Sequence, residues 1–398
     1  MGALDGLRVL AVEQYGAGPF GTQALVDLGA EVVKIENPRE GGDVTRSLGP
    51  YFDERLGETA DSLFFQALNR SKKSVALDLA APEGQEAFHA LVRGADAVAC
   101  NLRGDVPDRL GLTYATLGKI KPEIVCCHLT GYGREGSRAA WPSYDYIVQA
   151  EGGLFSLNGE PDTPPSRFGL SVVDYMAGYC LALNVVSGVL AARKTKRGRD
   201  LDVCLYDVAL ASINYLATWS MNAGFEPQRR ARSAHQTVVP CQLFTTADGW
   251  IYIMANKEKF FAVLCAELGA PELADDARFR RFPERLANRQ VLSDLLDELF
   301  RKRPTAEWVK RLAGKVPAAP VNSVSQALAS DLAAERAMIV EAQAESGATL
   351  RMLRSAMRDG ATPDRAAPRL GEHTRELLCE AGIPAERIEA LRSRGIVG

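Results

Sequence analysis

Residues 7–36 read LRVLAVEQYGAGPFGTQALVDLGAEVVKIE, and the order of elements in this segment indicates the fold class. Its first seven residues are mostly apolar, as in a strand that is buried on both faces of a parallel sheet. A glycine-rich turn follows, then a predicted helix over residues 22–29 and a second strand over residues 31–36. A strand, a crossover helix and a second strand in this order indicate a parallel sheet with helices on its faces.

The same alternation continues through the first 200 residues. Strands are predicted over residues 74–79, 96–100 and 123–129, and a helix over residues 83–92. A long apolar helix is predicted from Asp174 to about Arg193, because basic residues with a glycine just beyond are a common C-terminal signal. Residues 200–219 then suggest a short strand followed by a long helix.

The character of the sequence changes after a stretch rich in Gly, Pro and Arg at residues 224–233. Residues 244–255 predict a hairpin with Asp248-Gly249 at its turn. Helices rich in Arg, Leu and Glu follow to about Leu312, and a last helix is predicted over residues 372–381. We therefore predict a Rossmann-like α/β domain over residues 1–224, completed by a return segment 326–398, and a smaller α+β domain over residues 225–325.

The composition narrows the class of partner. A formal net charge of −3 over 398 residues gives no overall attraction for nucleic acid or an anionic membrane. The sequence predicts no apolar run close to the roughly 18 to 20 residues that span a bilayer, and it shows no signal-peptide pattern. We therefore predict a cytoplasmic protein. Eight cysteines without a CxxC motif and four histidines without metal-ligand spacing predict reduced thiols and no metal site.

Residues 16–21, GAGPFG, match the G-x-G-x-x-G motif after a strand, and Glu36 lies twenty residues beyond Gly16. This satisfies the dinucleotide-binding fingerprint, so an NAD- or FAD-dependent oxidoreductase is one hypothesis. The alternative is a glycine turn that only lets a helix pack closely. Polar residues 13–15 lie where a pyrophosphate would approach, and the downstream cations favour a ligand with an extra phosphate: Arg39, Arg46, Arg70, Lys72 and Lys73.

The order of motifs along the whole chain resembles the class III CoA-transferases, also called the CaiB/BaiF family, which include formyl-CoA transferase and carnitine CoA-transferase. The resemblance is carried by LDGLRVL (4–10), LGAEVVKIENPREGGDVTR (28–46), NRSKKSVALDL (69–79), NLRGDVPDRLGL (101–112), YDYIVQAEGG (144–153), residues 169–199, DGWIYIMA (248–255) and LGEHT (370–374). It implies that the glycine turn holds CoA, that two ring-like chains interlock as a homodimer, and that CoA thioesters are substrates with no permanently bound cofactor.

The resemblance implies that Asp174 is the covalent nucleophile. A carboxylate suits this reaction because its attack on a thioester gives a mixed anhydride, which keeps the energy that an ester would lose. Water must be excluded, and apolar or small neighbours on the helix fit a dry site. The alternative is that Asp174 caps the helix that it opens, since aspartate is a preferred capping residue. Both roles can coexist.

Tyr144 and Asp145 match a family pair beside CoA and the acyl carbonyl; the alternative is a packed tyrosine and a turn-forming aspartate. The family also contains α-methylacyl-CoA racemases, which carry a histidine at the position of Tyr144. Tyrosine titrates near 10 and histidine near 6.5, so tyrosine is the poorer proton shuttle at neutral pH. This difference favours transfer over racemisation.

The remaining matched residues are expected along CoA. Arg39 matches a contact near the adenine and Arg109 a phosphate contact; the others are Leu77 and Asp78 by the adenine, Asn101 and Leu102 by the pantetheine, and Gly16 and Ala17 at the thiol end. The best-known relative has glutamine at the position of Gly16. His235 and Arg167 are candidates for the acceptor acid, and the glycine-rich lid of formyl-CoA transferase has no match, so another loop must shield the anhydride.

These observations favour CoA transfer from an acyl-CoA donor to a small carboxylic acid, for which succinate is an example. Three alternatives stay open at this point. They are a 2-methylacyl-CoA racemase or epimerase, a dinucleotide-dependent oxidoreductase, and a protein that binds CoA without turnover.

Overall fold

A computed structural model describes residues 2–57, 61–357 and 365–398, which divide into two compact units. The first unit contains residues 1–152, 169–213 and 331–398, and the second contains residues 153–168 and 214–330. The first unit's main segment thus ends at Ile213 rather than at residue 224, and its return begins at Asp331. Residues 153–168 join the second unit, where Arg229 Nη2 donates to the Pro161 carbonyl at 3.0 Å.

Six parallel strands form the sheet of the first unit in the order β3-β2-β1-β4-β5-β6. They are β1 Arg8–Val12, β2 Glu31–Glu36, β3 Lys73–Ala76, β4 Ala97–Cys100, β5 Val125–Thr130 and β6 Arg199–Cys204. Consecutive strands of this kind need crossover connections, and the helices between them supply these. The predicted Rossmann-like α/β fold is confirmed, and the strand order reverses direction between β1 and β4, where open sheets of this type bind ligands.

The helices of this part of the chain are α1 Ala17–Asp27, α2 Leu63–Asn69, α3 Pro82–Gly94, α4 Val106–Arg109, α5 Tyr114–Leu117, α6 Asp145–Glu151, α7 Val172–Thr195 and α8 Leu205–Ile213. Short 3₁₀ helices lie at Pro38–Glu40, Val44–Ser47 and Glu54–Leu56. On one face of the sheet, Leu10 and Val98 pack with Phe88 of α3 in a buried cluster. On the other face α7 crosses β5 and β6, where a Cβ on Gly188 would lie 2.6 Å from Leu201 Cδ1 and 2.9 Å from Val125 Cγ1.

In its described residues, 331–357 and 365–398, the return segment contains α16 Asp331–Glu335, an antiparallel hairpin of β10 Ile339–Gln343 and β11 Thr349–Leu353, α17 Thr374–Glu380 and α18 Ala385–Ser393. The predicted last helix corresponds to α17, whereas the hairpin and α18 were not predicted. Leu378 of α17 and Ile388 of α18 are fully buried in the same cluster as Phe88. The return segment therefore completes the core of the first unit.

The second unit contains an antiparallel sheet of β7 Cys241–Thr245, β8 Trp250–Met254 and β9 Ala318–Pro320. Its helices are α9 Tyr215–Ala223, α10 Glu258–Leu268, α11 Glu272–Asp275, α12 Phe282–Ala287, α13 Arg289–Phe300, α14 Thr305–Leu312 and α15 Val324–Leu328, with 3₁₀ helices at Leu154–Leu157 and Ala231–Ser233. Phe244, Phe300 and Trp308 are buried in its core. The predicted hairpin is confirmed, but the long helix predicted after β6 is broken at Asn214, whose φ of 49° is not helical.

Helix α7 corrects another expectation. By length and composition it is apolar enough to cross a membrane, although no such run was predicted. The core helix of a soluble domain passes the same test, and α7 packs against α1, β5 and β6. We therefore treat it as a core helix.

Candidate active site

A cleft runs along the carboxyl ends of the central strands of the first unit. It consists of a cavity of about 460 Å³ and one of about 220 Å³, and both have Gln14 and Leu102 in their walls. The larger cavity is lined by five of the predicted residues besides Leu102, namely Gly16, Ala17, Asn101, Tyr144 and Asp174. The smaller cavity is lined by Leu77 and Asp78. The fold thus brings together the residues expected at the two ends of CoA.

Asp174 is the third residue of α7, and its side chain is almost completely buried. Its backbone N–H donates to Asp145 Oδ2 at 2.9 Å. Burial, together with the negative charge of Asp145, raises the pKa of the Asp174 carboxyl to about 7. The prediction that Asp174 opens and caps the helix is wrong, because the helix begins at Val172 and Ser171 occupies the cap position.

Asp145 at the start of α6 contacts Asp174, and Tyr144 just before it lines the same cavity. Asp145 is buried and also accepts a hydrogen bond from Gln149 Nε2 at 2.5 Å. Tyr144 is 61% exposed, and its ring contacts Tyr15 edge-on with the ring centroids 5.6 Å apart. The buried aspartate therefore holds the backbone of the candidate nucleophile, while the tyrosine forms part of the cavity wall.

The glycines of the motif allow other parts of the chain to approach the backbone closely. A Cβ on Gly16 would lie 2.6 Å from Asp174 Oδ2, so the turn lies directly against the carboxylate. A Cβ on Gly21 would lie 2.5 Å from the backbone oxygen of Gly178. Real Cβ atoms do not approach other atoms so closely, so the motif permits α1 to pack against the helix that carries Asp174.

Glu36, the acidic residue of the dinucleotide fingerprint, is not available to a ribose. Arg46 binds its two carboxylate oxygens at 2.6 and 2.8 Å, and Ser74 Oγ donates at 2.6 Å. The Glu36 side chain is buried, which by itself would raise its pKa, but the hydrogen bonds and charge of Arg46 hold the pKa below its usual value. The Glu36 carboxylate therefore stabilises the protein interior through these hydrogen bonds.

The downstream cations were expected to face a phosphate, but four of the five form ion pairs with carboxylates of the protein, three of them buried and Lys73 partly exposed. The pairs are Arg46 with Glu36 and Asp61, Arg70 with Asp27, Lys72 with Glu13, and Lys73 with Glu31 and Glu376. Arg39 differs, because its side chain is 57% exposed while its Nε lies 3.1 Å from Asp78 Oδ2 at the smaller cavity. Arg109 is also exposed, and Nη1 lies 3.7 Å from Asp105 Oδ2. Arg39 and Arg109 can thus still turn to a ligand.

Both candidates for the acceptor acid belong to the second unit. His235 Nε2 lies 3.1 Å from Tyr215 Oη, and its Nδ1 accepts from the N–H groups of Thr237 and Val238. Burial, with a smaller contribution from Arg289, lowers the pKa of His235. The imidazole is therefore held within its own loop. Arg167 Nη1 donates to the Phe168 carbonyl at 3.2 Å.

Tyr15 and Asp43 are among the residues of the site that were not predicted. Tyr15 has a φ of 69°, a conformation that is rare for a residue with a large side chain, and its ring lines the cavity. Asp43 is buried and accepts the Tyr15 N–H through Oδ1 at 3.2 Å. No sequence pattern marks either residue, because both depend on contacts between distant parts of the chain.

Comparison with known proteins gives the class of this chain. The family model described as CoA-transferase family III matches residues 4–374, and the chain belongs to that family. A succinate–glutarate CoA-transferase of Agrobacterium fabrum is 34% identical over 389 residues, or 95% of each chain. An acetyl-CoA:oxalate CoA-transferase of Acetobacter aceti is 36% identical over 344 residues, covering 85% of this chain and 86% of the relative.

Solved structures agree with this assignment. A CaiB/BaiF family protein from Brucella suis is 32% identical, with a TM-score of 0.83 over 96% of this chain and 99% of that one. Rv3272 from Mycobacterium tuberculosis is 30% identical, with a TM-score of 0.82 over 94% of this chain and 98% of that one. The protein is an enzyme of this class, a class III CoA-transferase that uses CoA thioesters and transfers CoA to carboxylic acids.

Proposed function

We propose that the enzyme transfers CoA to a small dicarboxylic acid through covalent intermediates on Asp174. In the first step a carboxylate oxygen of Asp174 attacks the thioester carbonyl, and CoA leaves as a thiolate. The thiolate then attacks the Asp174 carbonyl of the mixed anhydride, which releases the donor acid and leaves an aspartyl-CoA thioester. The acceptor carboxylate then attacks the aspartyl-CoA thioester, which gives a second mixed anhydride and releases the CoA thiolate. This thiolate attacks the acceptor's carbonyl, so that the acceptor leaves as its CoA thioester and the Asp174 carboxylate is restored.

The observation that carries this proposal is the position of Asp174, buried in the larger cavity with a pKa of about 7. Among the described residues, none donates a hydrogen bond to its carboxylate. A desolvated carboxylate without donors is more reactive than a hydrated one, because no solvent shell has to be removed before attack. Close to neutral pH a large fraction of Asp174 is in the ionised form that the mechanism requires.

The proposed substrate class rests on the names of relatives. These include succinate–glutarate, succinyl-CoA:glutarate, succinyl-CoA:mesaconate and acetyl-CoA:oxalate CoA-transferases, and each name contains a short dicarboxylic acid. The roles of Tyr144 and of Asp145 in catalysis and the CoA contacts belong to the same proposal. The interlocked homodimer and the cytoplasmic location stay predictions.

The proposal can be tested by trapping the intermediate. The enzyme is incubated with succinyl-CoA, quenched with hydroxylamine and digested for peptide mass spectrometry. We expect a hydroxamate on the Asp174 peptide, absent without acyl-CoA and absent in Asp174→Asn. Asp207→Asn is a matched control, because Asp207 is also the third residue of a helix but is exposed, and this variant should keep the adduct.

An unmodified Asp174 across a panel of short acyl-CoA and dicarboxylyl-CoA donors would contradict the mechanism. Exchange of the α-proton of 2-methylacyl-CoA in deuterated water would then support a racemase instead.

A further inference from the structure

The turn before α1 is held by side chains from elsewhere in the chain. Asn101 binds both backbone groups of Gln14: its Oδ1 accepts the N–H at 2.9 Å, and its Nδ2 donates to the carbonyl at 2.6 Å. One amide side chain thus fixes the peptide groups on both sides of this residue. Asn101 follows β4 directly, so the turn is tied to the neighbouring strand.

The residues on either side of Gln14 are held in the same way. Lys34 Nζ, fully buried, donates to the Glu13 carbonyl at 2.9 Å and forms an ion pair with Asp43 Oδ2 at 2.8 Å. Asp43 in turn accepts the Tyr15 N–H. The strained φ of Tyr15 persists because these bonds over-determine the path of the backbone.

The held turn ends at the Asp174 carboxylate. Gly16 lies against Asp174 Oδ2, as described above, and Gly18 makes the approach of Asn101 possible. A Cβ on Gly18 would lie 2.8 Å from Asn101 Cγ and 2.9 Å from its Cβ. The amide of Asn101, the turn and the carboxylate are therefore in consecutive contact.

We infer that Asn101 is a positioning residue for Asp174, which keeps the glycine turn against the carboxylate and water away from it. This inference rests on the proposed function, and it leaves the expected contact with the pantetheine to the backbone of Asn101, because both polar atoms of the side chain bind Gln14. The two roles differ in what they predict. A pure CoA contact affects binding, whereas a positioning residue affects the reactivity of Asp174 after CoA has bound.

The test compares Asn101→Ala and Gly18→Ala with the wild-type enzyme. Gly18→Ala leaves residue 101 intact but pushes its amide away. The matched control is Asn288→Ala in the second unit, where the amide also donates to two backbone carbonyls. Measurements are kcat and KM with succinyl-CoA, CoA affinity by calorimetry, and the pH midpoint at which a carbodiimide labels the protonated Asp174.

We expect kcat to fall about tenfold to a hundredfold in both test variants, because small displacements of reacting groups have effects of this size. KM and CoA affinity should change by less than about threefold. The labelling midpoint should move below that of the wild type, because water that reaches the carboxylate lowers its pKa. The control should match the wild type in all four quantities.

An unchanged kcat with raised KM and weaker CoA binding would overturn the inference and leave Asn101 as a CoA contact. Equal changes in Asn288→Ala would also overturn it, because they would reflect a general loss of stability. The labelling midpoint requires no turnover. If the wild type forms no aspartyl adduct, the proposed function fails while the midpoints still decide the role of Asn101.

Discussion

Replacing Asp174 by asparagine should abolish transfer and yet stabilise the enzyme at alkaline pH. Burial and the charge of Asp145 raise the pKa of Asp174 from 3.8 to about 7 in the folded protein. The difference of about three pKa units corresponds to about 4 kcal/mol, since one unit is worth 1.36 kcal/mol. This is the free energy that the folded state loses when an almost completely buried carboxyl becomes charged.

The sign follows from the proton bound in each state. In the unfolded chain the carboxyl ionises near pH 3.8, whereas in the folded chain it keeps its proton until about pH 7. Between these values the unfolded state has released the proton and the folded state has not, so raising the pH favours unfolding. The loss of stability begins near pH 4 and is complete above pH 7. Asparagine cannot ionise, so Asp174→Asn does not lose stability in this way.

Melting temperatures of wild type, Asp174→Asn and the exposed control Asp207→Asn at pH 5 and pH 8 test this reasoning. Between pH 5 and pH 8 the folded protein should lose about 3 kcal/mol of its free energy of unfolding, because about two pKa units of the difference fall in this range. For a structural unit of this size the loss corresponds to a shift in melting temperature on the order of 5–10 °C. The advantage of Asp174→Asn over wild type should grow by that amount, and the control should show no growth. An equal difference at both pH values would refute a raised pKa for Asp174.

Two further predictions concern the neighbours of this carboxyl. In the wild type kcat/KM should fall as the pH drops below about 7, because Asp174 becomes protonated. In a pH–rate profile, Asp145→Asn should move this fall to lower pH, because the negative charge that raises the pKa of Asp174 is removed. A fall at the same pH in both enzymes would contradict the charge effect. Gly21→Ala should lower the melting temperature, because its Cβ would meet the Gly178 backbone at 2.5 Å and overpacking costs about 1–3 kcal/mol. Gly269→Ala is the comparison variant, because its Cβ would meet no other atom and only the strain of a positive φ is added.

Much of the fold could be predicted from the sequence, because the strands of the parallel sheet are buried and read as short apolar runs. Arg8–Val12 and Ala97–Cys100 are examples. The hairpin β10–β11 was not predicted, since its strands are partly exposed and have no distinct alternation. The break at Asn214 was also missed, because the flanking sequence favours helix on both sides.

The site was less predictable from local patterns. The residues alone favoured a capping role for Asp174, and only the family resemblance indicated a nucleophile; the structure adds its burial, which no pattern shows. The cations Arg46 and Lys72 were expected to face a ligand because a sequence does not show which carboxylate each one meets. Burial of charge is decided by tertiary contacts, and these two lie inside the fold.

The contact between Gly16 and Asp174 Oδ2 also limits how this site can change. The missing side chain and the carboxylate share one small volume, so enlarging either residue displaces the other. A relative with a longer residue at the first glycine must hold its aspartate in another rotamer or at another depth. A substitution at position 16 is therefore expected to shift the Asp174 carboxylate even though residue 174 itself is unchanged, so engineering of this turn acts directly on the candidate nucleophile.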